Sequence, residues 1–562
     1  MVYRLLGGQV VEFQWIGGLA FVYGWWLLAG GVRRMEGLGS GAVGQRRSVG
    51  SSRFRRAPGS AERVRWGFLV SDLKMIIGGD EVEAISGRRT DVIDPATERV
   101  VGSVPKAGLA DVDLAVQAAR LAYKKWSRLT PGDRGTLLGR LADRLDEETG
   151  RLAAIEVAQT GKPIKLAANS DIPFANDNYR FMGAQARVLE GSAAGEYVAG
   201  STSMVRREPL GVVGSIAPWN YPYLMAAWKV GPALAAGNTV ILKPASNTPL
   251  SSIELARLAL EVGFPPGVFN VVTGPGAEVG AALTEDPRVA MVSLTGDSAT
   301  GSRIMAQAAG SLKRLHLELG GKAPFIVFDD ADLAAAVQGA VVGGFVNSGQ
   351  DCTAATRIYV QRARYEEFVE RLVIAVRQIR VGDPQVPTTD MGPLISRDQR
   401  QKVVGMVERA RQSGVVVATG GYEMDGPGFF YAPTVLVDPA QDSEVVQHEI
   451  FGPVVVVLPF ETEEQVVALA NDVVYGLASS VWTTNVFQAL RVSRELEFGE
   501  VWINDHLPLA SEMPHGGVKR SGFGNDLSRY SFEEYTTIKH VMADLTGDVR
   551  KGWHFTVYGD EE

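Results

Sequence analysis

The chain contains a single cysteine, and its neighbours suit a nucleophile better than a core residue. Cys352 lies in NSGQDCTAATRIYV, between the polar residues Asp351 and Thr353, whereas a structural cysteine is usually a small buried hydrophobe. A thiolate can add to a carbonyl carbon, and the resulting oxyanion needs preorganised hydrogen-bond donors. Because there is no second cysteine, an internal disulfide and a cysteine-rich zinc or iron–sulfur site are excluded.

Two other segments carry groups that could assist such a nucleophile. Glu318 lies in HLELGGKAP, where a predicted strand ends at paired glycines that would permit a close approach of backbone or substrate. Asn220 lies in APWNYP, and its amide could donate to an oxyanion or merely hold a proline-bracketed turn. Glu318 could equally be a solvated carboxylate at a strand end, so the residues alone leave both roles open.

The segments around these groups alternate between short apolar runs and helical patterns. Between residues 211 and 317 the predicted strands are GVVGSIAP, NTVILKP, GVFNVV, VAMVSLT and KRLHLEL, with helices over 223–236, 251–262, 277–284 and 298–309. This alternation indicates βαβ units around a buried parallel sheet, the architecture of a dinucleotide-binding fold. Before it, periodicity predicts helices over 109–126 and 132–159, with Pro131 at a helix start.

A second α/β series begins near residue 318. Its predicted strands are APFIVF, RIYV, PTVLV and PVVVVLPF, and its predicted helices cover 331–346, 365–379, 397–413 and 463–470. The sequence therefore predicts two α/β domains.

Taken together, the motifs resemble the NAD(P)-dependent aldehyde dehydrogenase superfamily over about residues 75–541. The resemblance is carried by DPAT, APWNYP, KPASNTP, SLTG, LELGGKAP, GQDC, HEIFGPV, GLASSVWT and PHGGVKRSGFG. It implies a Rossmann-like NAD(P)-binding domain over 75–190 and 210–317 and an α/β catalytic domain over 318–529. A small β oligomerisation element over 191–209 and 530–545 would form a homodimer or homotetramer, and residues 546–562 form a tail outside the resemblance.

The resemblance also implies roles for individual residues. Cys352 would be the nucleophile, Asn220 and the Cys352 N–H would stabilise the oxyanion, and Glu318 would activate the water that hydrolyses the thioester. Glu449 and Phe451 would hold the nicotinamide ribose and ring, and Lys243 the adenosine ribose. The remaining implied cofactor-binding residues are Ala217, Pro218, Trp219, Ser246, Gly276, Gly280, Gly296, Asp297 and Ser298.

Two residues depart from the pattern of the superfamily. Ser246 replaces the glutamate that selects for NAD, and a serine does not repel a 2′-phosphate, so we expect NAD to be the cofactor with NADP also tolerated. Asp297 replaces a serine near the pyrophosphate; aspartate is a good helix N-cap, but its charge faces another anion. The run Gly274 to Gly280 is a G-x-G-x-x-x-G, one residue longer than the usual dinucleotide fingerprint.

The segments 193–222 and 511–517 are most similar to those of bacterial γ-aminobutyraldehyde dehydrogenases, which oxidise 4-aminobutanal in putrescine breakdown. An aminoaldehyde substrate requires a site for its ammonium. Tyr221 and Trp228 could supply cation–π contacts, and Asp171 and Asp177 could supply countercharge or be solvated helix residues. Betaine aldehyde or a broad range of aldehydes remain alternatives.

Other classes of function fit the sequence less well. A cysteine-dependent hydrolase or amidase would also use a lone cysteine and a carboxylate but needs no nucleotide site, and a non-catalytic scaffold is a third alternative. The six histidines show no ligand spacing, so no metal is expected. The net charge of −8 gives no reason to expect nucleic acid as a partner.

Residues 1–74 differ in composition from the rest of the chain. They hold ten arginines and one lysine against four acidic residues. Residues 13–32 are free of charge and long enough for one membrane span, whose flanking Arg33 and Arg34 would place the body in the cytoplasm. A start codon assigned too far upstream of Met75 and a disordered arm are the other interpretations, and without the anchor we expect a cytoplasmic protein.

Overall fold

The predicted βαβ alternation forms an eight-stranded sheet in a computed structural model of the chain, which describes residues 71–188 and 194–558 and short stretches between 3 and 32. Five central strands are parallel and the outer ones antiparallel. In spatial order they are Gly522–Phe523, Arg314–Leu319, Val289–Gly296, Val212–Ile216, Thr239–Lys243, Phe269–Val271, Met75–Ile77 and Asp80–Val82. We call this the first sheet.

The second series forms a seven-stranded sheet, the second sheet, which is parallel except at one edge. Its strands, in spatial order, are Val416–Thr419, Thr434–Val437, Val454–Phe460, Arg357–Gln361, Pro324–Val327, Ala478–Trp482 and Glu500–Ile503. The chain passes from the first sheet to the second between Leu319 and Pro324. The predicted α/β class is confirmed.

Helices cover both sheets, and their apolar faces form the core. The described α-helices of five or more residues are Leu109–Trp126, Pro131–Glu147, Thr149–Thr160, Ile172–Gln185, Pro222–Ala236, Leu250–Glu261, Ala281–Glu285, Ser298–Ala308, Leu333–Phe345, Arg362–Arg377, Arg397–Gln412, Glu463–Asn471, Val486–Glu495 and Ser528–Glu534, with π-helical turns at Ala167–Asp171 and Gly276–Gly280. Pro131 begins its helix behind the N-cap Thr130, as predicted. The central helix Pro222–Ala236 is buried along its whole length.

One predicted helix is wrong in its extent. The pattern over 132–159 reads as continuous, but the structure has two helices that meet at Glu148, whose φ and ψ are −96° and 4°. Arg144 and Arg151 both donate to the Glu148 carboxylate from either side of the break. A one-residue kink of this kind leaves the apolar periodicity intact, so the sequence pattern does not reveal it.

Two smaller antiparallel sheets complete this part of the chain. One of them contains the antiparallel strands Val100–Pro105 and Arg89–Ile93. The short strand Ser71–Asp72 is added to it in parallel beside Val100–Pro105. The other, which we call the small sheet, contains Gly195–Val198, Ser201–Pro209 and Thr536–Asp544. Its strands lie within the two segments predicted to form an oligomerisation element.

The chain divides into two compact units, Met1–Arg65 and Trp66–Glu562. In the first unit, Tyr3–Leu6, Gln9–Ile16 and Leu19–Trp25 form an antiparallel sheet, and Leu27–Leu28 pairs with Gly31–Val32. Strands thus occupy most of the stretch 13–32, where the membrane-anchor interpretation requires a helix. The arginine-rich segment 46–65 lies outside the described residues.

No helix in the described part of the chain combines the length and the apolar composition needed to cross a membrane.

Candidate active site

Cys352 and Glu318 meet where the two sheets adjoin. Glu318 is the penultimate residue of the strand Arg314–Leu319, and Cys352 lies in the loop that precedes the strand Arg357–Gln361. The Cys352 thiol, a Glu318 carboxylate oxygen and a ring nitrogen of His515 lie within 4.8 Å of one another. The two groups that the sequence singled out, 34 residues apart, are therefore brought together.

The paired glycines after Glu318 make this contact possible. A Cβ built on Gly321 would lie 2.2 Å from the backbone oxygen of Cys352, and one built on Gly320 would lie 2.5 Å from a carboxylate oxygen of Glu449. The backbone of Cys352 cannot yield to a contact this short, so position 321 requires glycine, whereas a Cβ at position 320 would displace the Glu449 carboxylate. The predicted close approach is confirmed, and the approaching groups belong to the protein itself.

The loop that carries Cys352 is held in an unusual backbone conformation. Asn347, Ser348 and Gly349 have φ values of 49°, 59° and 66°, a left-handed conformation that costs about 1–3 kcal/mol for each residue that is not glycine. The Asn347 amide donates to the backbone oxygens of Asn220 and Gln350, and the Ser348 hydroxyl donates to that of Gly392. These bonds offset the strain and fix the loop.

Asn220 lies beside this loop and is 6% exposed. Its side-chain nitrogen donates to the backbone oxygen of Gln350 at 3.1 Å, which fixes the plane of the amide. An amide nitrogen carries two protons, so Asn220 retains a second donor for a group bound beside Cys352.

The electrostatics of the site keep the thiol protonated before a ligand binds. Burial raises the pKa of Cys352 well above its ordinary value, and the nearby carboxylates of Glu318 and Asp351 raise it further. Glu318 is 1% exposed, and within the described residues neither of its carboxylate oxygens accepts a hydrogen bond. The site thus holds a thiol close to a buried carboxylate whose oxygens have no hydrogen-bond partner among the described residues.

His515 is a site residue that the sequence analysis missed. Its Nε2 lies 3.6 Å from a carboxylate oxygen of Glu318, and its Nδ1 lies 3.1 Å from one of Glu500. Burial alone would lower the pKa of His515, but these two carboxylates raise it well above its ordinary value. The PHGG motif was visible in the sequence, but no sequence signal places it against Glu318.

A cavity of about 530 Å³ extends from Cys352 to the carboxyl ends of the strands of the first sheet. Thirteen of the predicted catalytic and cofactor-binding residues line it: Ala217, Pro218, Trp219, Asn220, Lys243, Ser246, Gly276, Gly296, Asp297, Glu318, Cys352, Glu449 and Phe451. Two do not. Gly280 lies outside the cavity lining, next to the Lys243 side chain. The Ser298 hydroxyl donates to the backbone oxygen of Arg520.

Three polar residues define the end of the cavity away from Cys352. Burial lowers the pKa of Lys243 to about 8, and its amine donates to the backbone oxygen of Pro244. The Ser246 hydroxyl donates to the backbone oxygen of Gly274 at 2.9 Å. Asp297 caps the helix Ser298–Ala308 by accepting from the Thr300 N–H at 2.9 Å. This end therefore offers a buried amine and a hydroxyl, beside a carboxylate that occupies the helix N-terminus.

Glu449 and Phe451 form the opposite wall. Glu449 accepts a hydrogen bond from the Gly321 N–H at 2.9 Å, and burial raises its pKa to about 7. Phe451 has a φ of 58° and packs edge-on against Trp219, with 5.2 Å between the ring centroids. Gln399, which sequence reasoning missed, holds this segment by donating to the backbone oxygen of Phe451 at 2.7 Å. Lys402 also lines the cavity without having been predicted.

Two of the four predicted substrate residues, Tyr221 and Asp171, already contact a cation of this chain. The amine of Lys162 already lies over the Tyr221 ring, 4.1 Å from its centroid, and pairs with the buried Asp171. Trp228 packs against His515, with 4.9 Å between the ring centroids.

Asp177, the fourth of them, is exposed and accepts a hydrogen bond from the Ser511 hydroxyl. The group that instead adjoins Cys352 is the Asp351 carboxylate, which is half-buried and accepts a hydrogen bond from the Tyr221 hydroxyl at 2.7 Å.

The chain is similar to known proteins over most of its length. The model of the aldehyde dehydrogenase family matches residues 82–541. An aldehyde dehydrogenase of Alternaria alternata is 42% identical over 480 residues, which are 85% of this chain and 96% of that protein.

Two solved structures share the fold along most of their length. The NAD⁺ complex of an aldehyde dehydrogenase from Bacillus cereus is 40% identical, with a TM-score of 0.85 over 87% of this chain and 99% of that one. A betaine aldehyde dehydrogenase from Staphylococcus aureus in complex with NAD⁺ is 37% identical, with a TM-score of 0.83 over 85% of this chain and 96% of that one.

Proposed function

The chain belongs to the aldehyde dehydrogenase family, whose members are oxidoreductases that act on aldehydes, and on that premise we propose that it oxidises an aminoaldehyde to a carboxylate with NAD⁺ or NADP⁺ and with Cys352 as nucleophile. One observation carries the proposal. Cys352 and Glu318 lie together at one end of a cavity, and Lys243 and Ser246 line the other end of the same cavity. Family membership favours this oxidation over the hydrolase and scaffold alternatives.

The cavity suits a dinucleotide. It lies at the carboxyl ends of parallel strands, where open α/β sheets bind ligands, and Gly276 and Gly296 present backbone without side chains to it. Lys243 would donate to the adenosine ribose, and Glu449 would accept from the nicotinamide ribose. When bound, NAD⁺ or NADP⁺ supplies the acceptor for the two electrons that leave the aldehyde.

In the first half of the reaction the chain must create and stabilise a charged oxygen. The Cys352 sulfur adds to the aldehyde carbon as its proton leaves, which forms a thiohemiacetal. The free N–H of the Asn220 amide and the Cys352 backbone N–H would donate to the oxygen of this adduct. Such donors are effective because they are already oriented, and removing one typically costs about 10²–10³ in kcat.

In the second half the thioester on Cys352 must be hydrolysed. Glu318 would take a proton from a water molecule, whose oxygen attacks the thioester carbon while the thiolate leaves. The unpartnered carboxylate of Glu318 near the thiol is consistent with this role. A positioned base typically contributes about 10²–10⁴ to the rate of such a step.

For the substrate we propose 4-aminobutanal, the aldehyde that the resemblance implies, with Asp351 rather than Asp171 or Asp177 as the partner of its ammonium. Asp351 is next to the nucleophile in sequence, and its carboxylate is oriented by Tyr221 and by the Thr353 N–H and hydroxyl. Three methylenes separate the ammonium of 4-aminobutanal from its carbonyl. With the carbonyl at Cys352, the bound substrate must either fold back so that its ammonium lies near Asp351, or extend past Asp351 along the Tyr221 side chain.

The test compares 4-aminobutanal, betaine aldehyde and hexanal on the purified protein and on its Asp351→Asn variant. We expect Asp351→Asn to lower kcat/KM for 4-aminobutanal at least tenfold, since a lost ion pair of about 1.4 kcal/mol corresponds to a factor of ten, and to leave hexanal within threefold. If hexanal exceeds both cationic aldehydes tenfold in the unaltered protein, the aminoaldehyde proposal fails while aldehyde oxidation stands. Asp177→Asn serves as the control and should change neither substrate.

A further inference from the structure

Three side chains of different chemistry converge on one point beside the cavity. The Cys352 sulfur, a carboxylate oxygen of Glu318 and a ring nitrogen of His515 all lie within 4.8 Å of one another. Glu318 and His515 are each 1% exposed, and within the described part of the chain neither the Glu318 oxygens nor His515 Nε2 has a hydrogen-bond partner. Buried polar atoms without partners are rare and mark places where a ligand can bind.

Thiolate, imidazole and carboxylate are the ligand types that Zn²⁺ takes in proteins. Bond lengths of about 2.0–2.3 Å in a tetrahedral site place neighbouring ligand atoms about 3.3–3.6 Å apart. His515 Nε2 and the Glu318 oxygen are 3.6 Å apart already. The sulfur has to move by about 1 Å to complete the site, which rotation of the half-buried Cys352 side chain allows.

The group behind His515 is the one that a metal-binding histidine usually has. A histidine that binds a metal through one nitrogen almost always donates the other N–H to a carboxylate or carbonyl. The Nδ1 of His515 lies 3.1 Å from Glu500, and the ring packs against Trp228. Glu500 would keep the proton on Nδ1 when a metal ion displaces the proton of Nε2, so that the Nε2 lone pair faces Glu318 and Cys352.

We propose that Cys352, Glu318 and His515 form a binding site for a Zn²⁺ ion and that this ion inhibits the enzyme reversibly. The thiolate and the carboxylate offset both charges of the ion, and the fourth ligand position faces the cavity, where water can occupy it. A bound ion engages the nucleophile and the hydrolytic base together, so neither step of the proposed reaction can proceed. Mg²⁺ and Ca²⁺ prefer oxygen ligands and should not bind here.

The three ligands come from three segments that are distant in sequence. The spacing of the histidines, from which no metal site was expected, therefore could not reveal them. Such spacing reveals only ligands that lie at short intervals along one element. The site instead joins the end of a strand of the first sheet, the loop before a strand of the second sheet and the PHGG segment.

The experiment measures zinc binding and inhibition separately, so that its outcome does not depend on the proposed substrate. Binding is measured by equilibrium dialysis against buffered free Zn²⁺, and inhibition by the initial rate of NADH formation at the same free Zn²⁺. We expect one ion per chain, inhibition that competes with the aldehyde, full recovery with EDTA and no effect of Mg²⁺. Co²⁺ should bind with the near-ultraviolet absorption of a cobalt–thiolate bond.

Two variants test the ligand set. His515→Phe keeps an aromatic ring against Trp228 and should weaken zinc binding at least tenfold, and Glu500→Gln should weaken it by about 10- to 100-fold, the usual effect of losing such a supporting group. The matched control is His540→Phe, the same substitution at an exposed histidine of the small sheet, which should change neither binding nor inhibition.

Unchanged zinc binding in His515→Phe would overturn the proposal, because it would mean that Cys352 alone holds the ion. If His515→Phe does not fold, Glu500→Gln and the cobalt spectrum of the unaltered chain decide: zinc binding unchanged by Glu500→Gln, or no cobalt–thiolate absorption, also overturns it. Loss of zinc binding in Cys352→Ser and in His515→Phe together supports it, even if the preferred aldehyde is not 4-aminobutanal.

Discussion

At the far end of the cavity, Lys243 lies near Ser246, the residue predicted to stand in place of a glutamate that would exclude a 2′-phosphate. Lys243 is 4% exposed, and burial lowers the pKa of its amine to about 8. Its charge therefore changes within the range in which the enzyme can be assayed. The Ser246 hydroxyl adds no charge, and the Asp297 carboxylate and Lys402 also line the cavity, so Lys243 is the group there whose lowered pKa makes its attraction for a phosphate depend on pH.

We expect the KM for NADP⁺ to rise as the pH increases through about 8. A lysine with a lowered pKa is charged below that pKa and neutral above it, and only the charged form attracts the 2′-phosphate. Between pH 7 and pH 9 the charged fraction falls about tenfold, so the KM for NADP⁺ should rise by up to that factor. The KM for NAD⁺ should change less than threefold.

Initial rates with both cofactors at a saturating concentration of one aldehyde check this expectation. Lys243→Gln should remove the difference in pH dependence between the two cofactors. A KM for NADP⁺ that is flat from pH 7 to pH 9, or an NAD⁺ preference in kcat/KM above about 10³, which is roughly 4 kcal/mol, would contradict the tolerance of NADP⁺.

At the scale of the elements, the active site depends on how closely two strand ends approach. The turn after the strand Arg314–Leu319 and the loop that carries Cys352 are separated by no more than the backbone of Gly321. Gly321→Ala would push the two apart by about 1 Å, and a displacement of that size can cost about 10² in rate. The substitution should leave the distant cofactor end of the cavity in place.

We therefore expect Gly321→Ala to lower kcat/KM about 100-fold while the Kd for NAD⁺ changes less than threefold. Stopped-flow rates and cofactor titration measure the two effects. Gly139→Ala is the matched control: a Cβ at Gly139, inside the helix Pro131–Glu147, meets nothing within 4 Å, so it should keep full activity and stabilise the fold by up to about 1 kcal/mol. An active Gly321→Ala variant would show that the strand ends can separate without harm.

The same elements show how far sequence reasoning could reach. Five strands of the first sheet and four of the second follow from their β-branched runs, and the role of the paired glycines follows from their absence of a side chain. The strands Ala478–Trp482 and Glu500–Ile503 were missed, and with them Glu500. These two strands pair with each other, and Ala478–Trp482 joins the sheet through the distant strand Pro324–Val327. No local pattern connects Glu500 with His515 or His515 with Glu318.

Two expectations about substrate residues failed for a related reason. Tyr221 and Asp171 have the right chemistry for binding an ammonium, but Lys162 of this chain already occupies both of them. Composition and spacing show which side chains could bind a cation. They do not show whether a lysine or arginine of the same chain is already bound there.

At the scale of the whole molecule, the small sheet exposes several large apolar side chains. Tyr197 and Ile538 are 72% and 62% exposed, and both outer strands of the sheet have an unpaired edge. Long exposed edges and apolar patches are usually covered by another chain. We propose that a second copy of this chain covers the small sheet, in a homodimer or homotetramer.

Ile538→Glu should disrupt that assembly, because it places a charge in a buried contact. Light scattering after size-exclusion chromatography should give a dimer or tetramer for the unaltered chain and a smaller species for the variant. The control Ile374→Glu changes an isoleucine that is 52% exposed on the helix Arg362–Arg377 and should leave the mass unchanged. A monomeric unaltered chain would contradict this proposal.

The central claim is that Cys352 forms a thioester and that Glu318 activates the water that hydrolyses it. The most direct measurement is to mix Glu318→Gln with aldehyde and NAD⁺, quench with acid and determine the mass of the intact protein and of the peptide that contains Cys352. We expect a burst of about one NADH per chain and an acyl group on Cys352. A Glu318→Gln variant that makes NADH without any acyl group on Cys352 would contradict it.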